Sequence, residues 1–304
     1  MISVDVVIPA YNAKLFIENA LQSVVSQTYP PHQIIVIDDG SKDGTPDIVR
    51  SFSIQNPKIP IKCIEQPNAG PSAARNRGLR NVEADFVALL DADDEWLPTK
   101  LEKQLALYQG VGGRGLGLVY CDYGLIDSNG KPIPNFGFTL NKKIRGDVFK
   151  QLRKSNQIAG SASAVLIPTH VLQRVGLFDE ALVSAEDWDL WLRIAEYYSI
   201  DFVDEPLVLL RQHSQNSQKD EGRMLGGELL FANKLFMQKH LPLKNIMRLA
   251  IRIQSARRKG VILAEHNYHP LFHAVFSNIL LQVIYLVFII VRATRRWGKE
   301  LFHA

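Results

Sequence analysis

The stretch QIIVIDDG, residues 33–40, runs four β-branched apolar residues, Ile34 to Ile37, into an abrupt Asp-Asp-Gly stop. A strand with one wet face alternates polar and apolar residues; this one does not, so both its faces are expected to be covered. Working outward, SVDVVIP (3–9), IPIKCIEQ (59–66) and ADFVALLD (84–91) read as further strands. Between these strands lie segments of helical character: AKLFIENALQSVVSQ (13–27), with Phe16, Ala20, Leu21, Val24 and Val25 at helical spacing, TPDIVRSFS (45–53) and GPSAARNRGLRN (70–81). Thr45 reads as an N-cap with Pro46 at the first helical position. Covered strands alternating with helices predict an α/β fold around a mostly parallel sheet flanked by helices. In such sheets ligands bind beyond the carboxyl ends of the strands. The polar clusters PAYN (9–12), DDGS (38–41) and DADD (91–94) sit at those ends.

Composition bounds the rest. With 304 residues, 46% of them hydrophobic and 22% charged, the chain has material for one large domain or a domain with an appendage, and wholesale disorder is excluded. Cys63 and Cys121 lie in strand-like runs without CxxC or Cys/His spacing, so reduced, buried thiols are expected. Met1 leads almost directly into a core strand, so no secretory leader is expected and the cytoplasm is the expected compartment. Charge is uneven: residues 239–304 hold 11 Lys and Arg against Glu265 and Glu300, leaving 24 basic and 29 acidic residues in 1–238. An acidic body with a basic tail points to two tasks.

Beyond residue 110 the pattern loosens. GLGLVYCDYGLID (115–127) reads as a strand that turns at Asn129-Gly130 and returns; GSASAVLIP (160–168) reads as another. AEDWDLWLRIAEYY (185–198) reads as a helix with Trp188, Trp191, Leu192 and Ala195 on one face, and Ser184 with Asp187 as a capping-box-like start. DFVDEPLVLLRQH (201–213) reads as two short strands broken at Pro206. From about Glu221 the chain turns helical, and 271–291 is its most apolar stretch, interrupted by His273, Ser277, Asn278 and Gln282. Arg257, Arg258 and Lys259 precede it, and Arg292, Arg295 and Arg296 follow, which suits a helix lying in an anionic membrane interface; a buried core or dimer helix is the alternative.

Several clusters have chemistry in reach. Asp91, Asp93, Asp94 and Glu95 crowd five positions. Asp91 and Asp93 point to one side if the strand stays extended there, giving two hard oxygen ligands for Mg2+ or Mn2+; an acidic cap for the next helix fits the spacing as well. Glu186 and Asp187 open a helix, where they either complement its dipole or provide a general base. Arg211 and His213 offer an anion clamp and a metal ligand, or surface polar groups. DGSKDG from Asp39 begins like a calcium loop, but Arg50 stands at the twelfth position where a bidentate Glu is needed. Neither a G-x-G-x-x-G nor a G-x-x-x-x-G-K-[ST] motif is present, which removes a dinucleotide fingerprint and a P-loop.

Taken together, VVIPAYN (6–12), IIVIDDGSKDGT (34–45), NAGPSAARNRGL (68–79), LLDADDEW (89–96), VGLFDE (175–180), AEDWDLWLR (185–193) and RQH (211–213) resemble, in order, the motifs of the family 2 glycosyltransferases. The resemblance covers residues 1 to about 215 and implies the GT-A fold, a Rossmann-like nucleotide-sugar half at 1–130 and an acceptor half at 131–215. A basic helical extension, 216–304, would follow. The resemblance further implies Pro9, Tyr11 and Asp39 as a base-and-ribose pocket, Arg75 and Asn76 beside the nucleotide, and Arg211 as its clamp. It implies Asp93 as a metal-binding acid with His213, Asp91 directed toward the nucleotide ribose or the metal, Asp187 as catalytic base and Glu186 as its support. Leu210 stands where the family usually has an aromatic residue. The implied reaction is an inverting transfer from a nucleoside-diphosphate sugar, most often uridine-linked, to an acceptor hydroxyl, assisted by Mn2+ or Mg2+. A glycan or lipid-linked acceptor at the cytoplasmic membrane face would suit the basic tail, and no nucleic-acid partner is expected. Two rivals stay open at this stage. A nucleotidyltransferase would need a Gly-rich triphosphate loop, which PAYNAKLF lacks; a catalytically degenerate membrane scaffold would not need the intact acid pairs.

Overall fold

A computed structural model of the chain describes residues 2–113, 115–134, 143–158 and 161–213, with a few helical positions between 224 and 234. The chain divides into two compact units, Met1–Asp220 and Glu221–Ala304. The apolar stretch 271–291, with its expected membrane contact, lies outside the described residues. Among the described residues no helix is long and apolar enough to cross a membrane.

The first unit opens with β1 (Val4–Ala10), α1 (Ile17–Val25), β2 (Gln33–Asp38), α2 (Thr45–Gln55), β3 (Ile61–Glu65), α3 (Pro71–Leu79) and β4 (Phe86–Leu89). Then come β5 (Glu95–Trp96), α4 (Lys100–Gly110), β6 (Leu116–Asp127), α5 (Phe149–Leu152), a 3-10 turn at Ala162–Ala164, β7 (Leu166–Pro168), α6 (Thr169–Val175), α7 (Glu186–Ala195) and β8 (Ser199–Gln212). All eight strands share one sheet in the order β3-β2-β1-β4-β7-β6-β8-β5. The first four are parallel, β7 runs against both its neighbours, β6 and β8 are parallel, and β5 runs against β8. The α/β reading therefore holds, with a mixed second half.

The all-apolar runs read from the sequence are the centre of this sheet. Val6 to Ile8 and Ile34 to Ile37 are fully buried, because α1 covers one face and α3 packs on β1 and β2. Each such side chain contributes roughly 1.5–3 kcal/mol by leaving water. Gly78 in α3 permits the close approach: a Cβ there would lie 2.3 Å from Val7 Cγ1. At the amino ends of the strands, Asp5 is fully buried. Its carboxylate accepts from Gln33 Nε2, Glu83 N and Ala84 N, and it lies 2.9 Å from His32 Nδ1. Both cysteines are free, Cys121 buried and Cys63 partly so.

Four local expectations need correction. Thr45 is inside α2, which Gly44 caps; its hydroxyl donates to Asp43 and accepts from Ala13 N instead. Ala185, at φ 61°, precedes α7 as its N-cap, so Ser184 is not the capping residue and no capping box forms. The run at 160–168 is a 3-10 turn followed by only three strand residues. Finally, β8 is one strand of 14 residues, because Pro206 falls at a register shift opposite Asp122, where its missing N–H breaks no regular ladder.

Candidate active site

Chain order moves from β1 to β2 and β3 on one side, then returns to β4 on the other side of β1. In open α/β sheets such a reversal marks the place where ligands bind, here beyond the carboxyl ends of β1 and β4. The loops there are stitched together by side chains. Asn12 N donates to Ser41 Oγ and Asn12 Oδ1 accepts from Lys42 N; Lys14 N donates to Asp43. Tyr11, just past β1, is 53% exposed, and Pro9 is paired in β1 with Ile37. Asp39 is buried, with Oδ1 accepting from Gln66 Nε2 and Ala69 N and Oδ2 from Gly70 N. Gly40, at φ 78°, makes the turn past it: a Cβ there would meet Asn68 N at 2.9 Å.

Strand geometry does not persist through the acidic tip. β4 ends at Leu89, and Asp94 N bonds back to Asp91 O, so Asp91 to Asp94 form a tight turn rather than an extended pair. Each acid then finds its own partner. Asp91 Oδ1 accepts from Arg75 Nη2 at 2.8 Å, and Asp93 Oδ2 lies 2.9 Å from His213 Nε2. Asp94, 5% exposed, accepts from Ser163 Oγ at 2.6 Å and from Arg211 N at 3.0 Å. Glu95 accepts from Arg211 Nη2. Burial, reinforced by Asp91, holds the Asp93 carboxyl above the usual carboxylate range. Burial raises Asp94 well above it, with Asp93 and Asp91 adding to the effect.

Arg75 joins distant motifs. Its Nη1 donates to Glu186 Oε1 at 2.9 Å while Nη2 holds Asp91, and the guanidinium stands over the Phe178 ring at 5.4 Å. Thus the acid pair that opens α7 sits beside the tip of β4, although Glu186 is 111 residues from Arg75. Burial, then Glu186, pushes the Asp187 carboxyl up to about 6; its Oδ1 accepts from Trp188 N. Among the described residues Arg75 Nε is buried without a hydrogen-bond partner.

Two expected nucleotide contacts are otherwise engaged. Asn76 donates to Phe178 O and Glu180 Oε1 and accepts from Phe178 N, so its amide clamps the 178–180 loop onto α3. Arg211, 1% exposed, donates from Nε to Asp93 O at 2.9 Å and from Nη1 to Asp127 O at 3.1 Å. It therefore builds the acidic turn rather than reaching out to clamp a phosphate. Phe16 provides the aromatic neighbour that position 210 does not, stacking on His213 with centroids 4.8 Å apart and lying 5.1 Å beneath Arg211 Cζ. Sequence spacing assigns Phe16 to helix packing and gives no hint of Ser163, whose partner Asp94 is 69 residues away.

The donor set fits a hard divalent cation. Asp91 and Asp93 are carboxylates, and His213, 2.9 Å from Asp93, adds an imidazole. Among the described residues no group of three such side chains is close enough to hold an ion by itself. An ion at this turn would share itself with ligand phosphates, as Mg2+ and Mn2+ commonly do.

Residues 5–120 match the family model described as Glycosyl transferase family 2. An uncharacterised glycosyltransferase of Rickettsia prowazekii is 32% identical over 215 residues, covering 69% of this chain and 64% of the relative. The chain thus spans just under two thirds of that relative's length. TuaG of Bacillus subtilis, named as a candidate teichuronic acid biosynthesis glycosyltransferase, is 36% identical over 133 residues, 44% of this chain and 51% of that one. Among solved structures, the mannosyltransferase PcManGT of Pyrobaculum calidifontis, in complex with GDP-Man and Mn2+, aligns with a TM-score of 0.61. At 19% identity, over 93% of this chain and 81% of that one, the likeness speaks for the fold.

Proposed function

We propose that this chain, which matches the Glycosyl transferase family 2 model over residues 5–120, transfers a sugar from a nucleoside diphosphate to an acceptor hydroxyl with inversion. The observation that carries the reading is the Arg75 bridge, which holds the acid pair of α7 against the acidic turn after β4. One region then has both elements the reaction needs: a charge-balancing site for the leaving diphosphate and a carboxylate able to take a proton.

In the proposed reaction, the acceptor oxygen attacks the anomeric carbon as the bond from that carbon to the diphosphate oxygen breaks. Asp187 Oδ2 accepts the hydroxyl proton while the new bond forms, and the nucleoside diphosphate departs. Glu186, tied to Arg75, keeps its neighbour oriented. Asp91, Asp93 and His213 would hold Mn2+ or Mg2+, whose contribution would be charge neutralisation at the diphosphate leaving group. Asp39, with Pro9 and Tyr11 near it, forms the base end of the site, and uridine follows from the family resemblance. A displacement of this kind needs no nucleophilic side chain.

The similarity to TuaG supports a role in cell-surface polysaccharide synthesis. The basic residues flanking 271–291 support a membrane-surface location for the second unit. Thermal stabilisation by UDP- and GDP-sugars, with and without Mn2+, tests the reading, because a ligand specific for the folded state raises apparent stability by mass action. Asp93→Ala should abolish the Mn2+-dependent part of that shift, and added Mn2+ should not restore it. A donor that stabilises the wild type equally in EDTA would refute the metal assignment. Release of pyrophosphate in place of a nucleoside diphosphate would favour a nucleotidyltransferase.

A further inference from the structure

We infer that Ser163, which lies outside the seven stretches that carry the family resemblance, is the positioning residue that sets the shape of the metal-facing turn. Its hydroxyl closes that turn from both ends: Oγ accepts from Asp91 N at 3.0 Å and donates to Asp94 Oδ2 at 2.6 Å. Asp93, the acid facing His213, lies between those two anchor points. Both Ser163 and Asp94 are removed from solvent, so water cannot replace the lost bonds cheaply.

Ser163 is itself held rigidly. The three successive carbonyls of residues 163–165 each receive a buried side-chain donor: Trp96 Nε1 on Ser163 O at 2.9 Å, Gln104 Nε2 on Ala164 O at 2.8 Å and Lys100 Nζ on Val165 O at 3.5 Å. Lys100 is fully buried and lies over the Trp96 ring, 4.1 Å from its centroid. Ser161, at φ 54°, bends the chain into the 3-10 turn, and its Oγ accepts from Ser163 N. A backbone pinned at three consecutive carbonyls keeps the Ser163 hydroxyl in place while the Asp91–Asp94 turn must meet ion and phosphate. Groups that orient metal ligands from behind commonly govern affinity by 10–100-fold.

This inference rests on the metal-assisted reading above, and the experiment separates the two. Mn2+ binding to the full chain is followed by the loss of the free-ion EPR signal, with and without UDP, for the wild type, Ser163→Ala and Ser163→Cys. Asp5→Asn serves as a control, since it loosens the opposite end of the sheet and lowers stability without touching the turn. Ser163→Ala should weaken Mn2+ affinity in the presence of UDP by roughly tenfold or more, Ser163→Cys should fall similarly, and Asp5→Asn should match the wild type. Wild-type affinity in both Ser163 variants, within about twofold, would overturn the role given to Ser163. An equal loss in Asp5→Asn would overturn it too, by tracing the effect to general loosening. Absence of Mn2+ binding by the wild type would overturn the metal-assisted reading itself, and the role of Ser163 with it.

Discussion

Replacing Asp187 by Asn should make the protein more stable at neutral pH while abolishing transfer. Burial and the neighbouring Glu186 raise the Asp187 carboxyl to about 6 from 3.8. A shift of about two pKa units corresponds to about 3 kcal/mol, at 1.36 kcal/mol per unit. Because the folded value lies above the unfolded one, the folded state holds this proton more tightly. The ionised carboxylate therefore destabilises the fold in full above about pH 6, progressively less down to 3.8, and not at all below. Asn removes the charge, and its Oδ1 can keep the bond from Trp188 N. Asp187 retains some solvent exposure and sits near Arg75, so about 3 kcal/mol is a ceiling. At about 2–4 °C per kcal/mol, that ceiling allows a rise in Tm of up to about 6–12 °C at pH 7.5, shrinking toward zero near pH 4. Thermal unfolding across that range measures it. A Tm that falls at pH 7.5, or a gap independent of pH, would refute the electrostatic argument. Transfer should drop by ~10²–10⁴, and activity within about tenfold of wild type would show that another group accepts the proton.

Other consequences are simpler to measure. For the wild type, kcat/KM should decline as pH falls through about 6, because protonated Asp187 cannot act as base; a flat profile down to pH 5 contradicts the assignment. Arg211→Met should cost about 3–5 kcal/mol in urea denaturation, since it leaves Glu95 and three backbone carbonyls without their cation. A loss below about 1 kcal/mol would mean the guanidinium is not structural. Gly78→Ala should destabilise by about 1–3 kcal/mol through the clash with Val7, and the double variant with Val7→Ala should recover part of that loss.

What could be read from the residues alone follows the range of the forces involved. β1, β2 and β4 announce themselves because burial on both faces leaves short runs of consecutive apolar residues, such as Val6–Ile8, Ile34–Ile37 and Phe86–Leu89. Their carboxyl ends could be located for the same reason. Pro206 misled, since a missing N–H breaks a regular ladder but is tolerated at a register shift, and that shift depends on Asp122 in another strand. The division of labour among four adjacent acids was also hidden. Nothing local distinguishes Asp93 from Asp94; the difference comes from His213 and Ser163, 120 and 69 residues away. Arg211 and Asn76 look like ligand contacts in a linear motif, yet their polar atoms are engaged by backbone that folding alone brings near.

The unbroken β8 bears on how this protein could be re-engineered. One strand pairs with β6 along most of its length and with β5 near its end, then delivers Arg211 and His213 to a turn contributed by the first 100 residues. Chimeras that exchange acceptor halves at a junction near residue 130 would graft a foreign strand onto this turn and sever a matched set. Recombination among relatives should therefore carry 91–96, 161–165 and 207–213 from a single parent, whatever the source of the remainder.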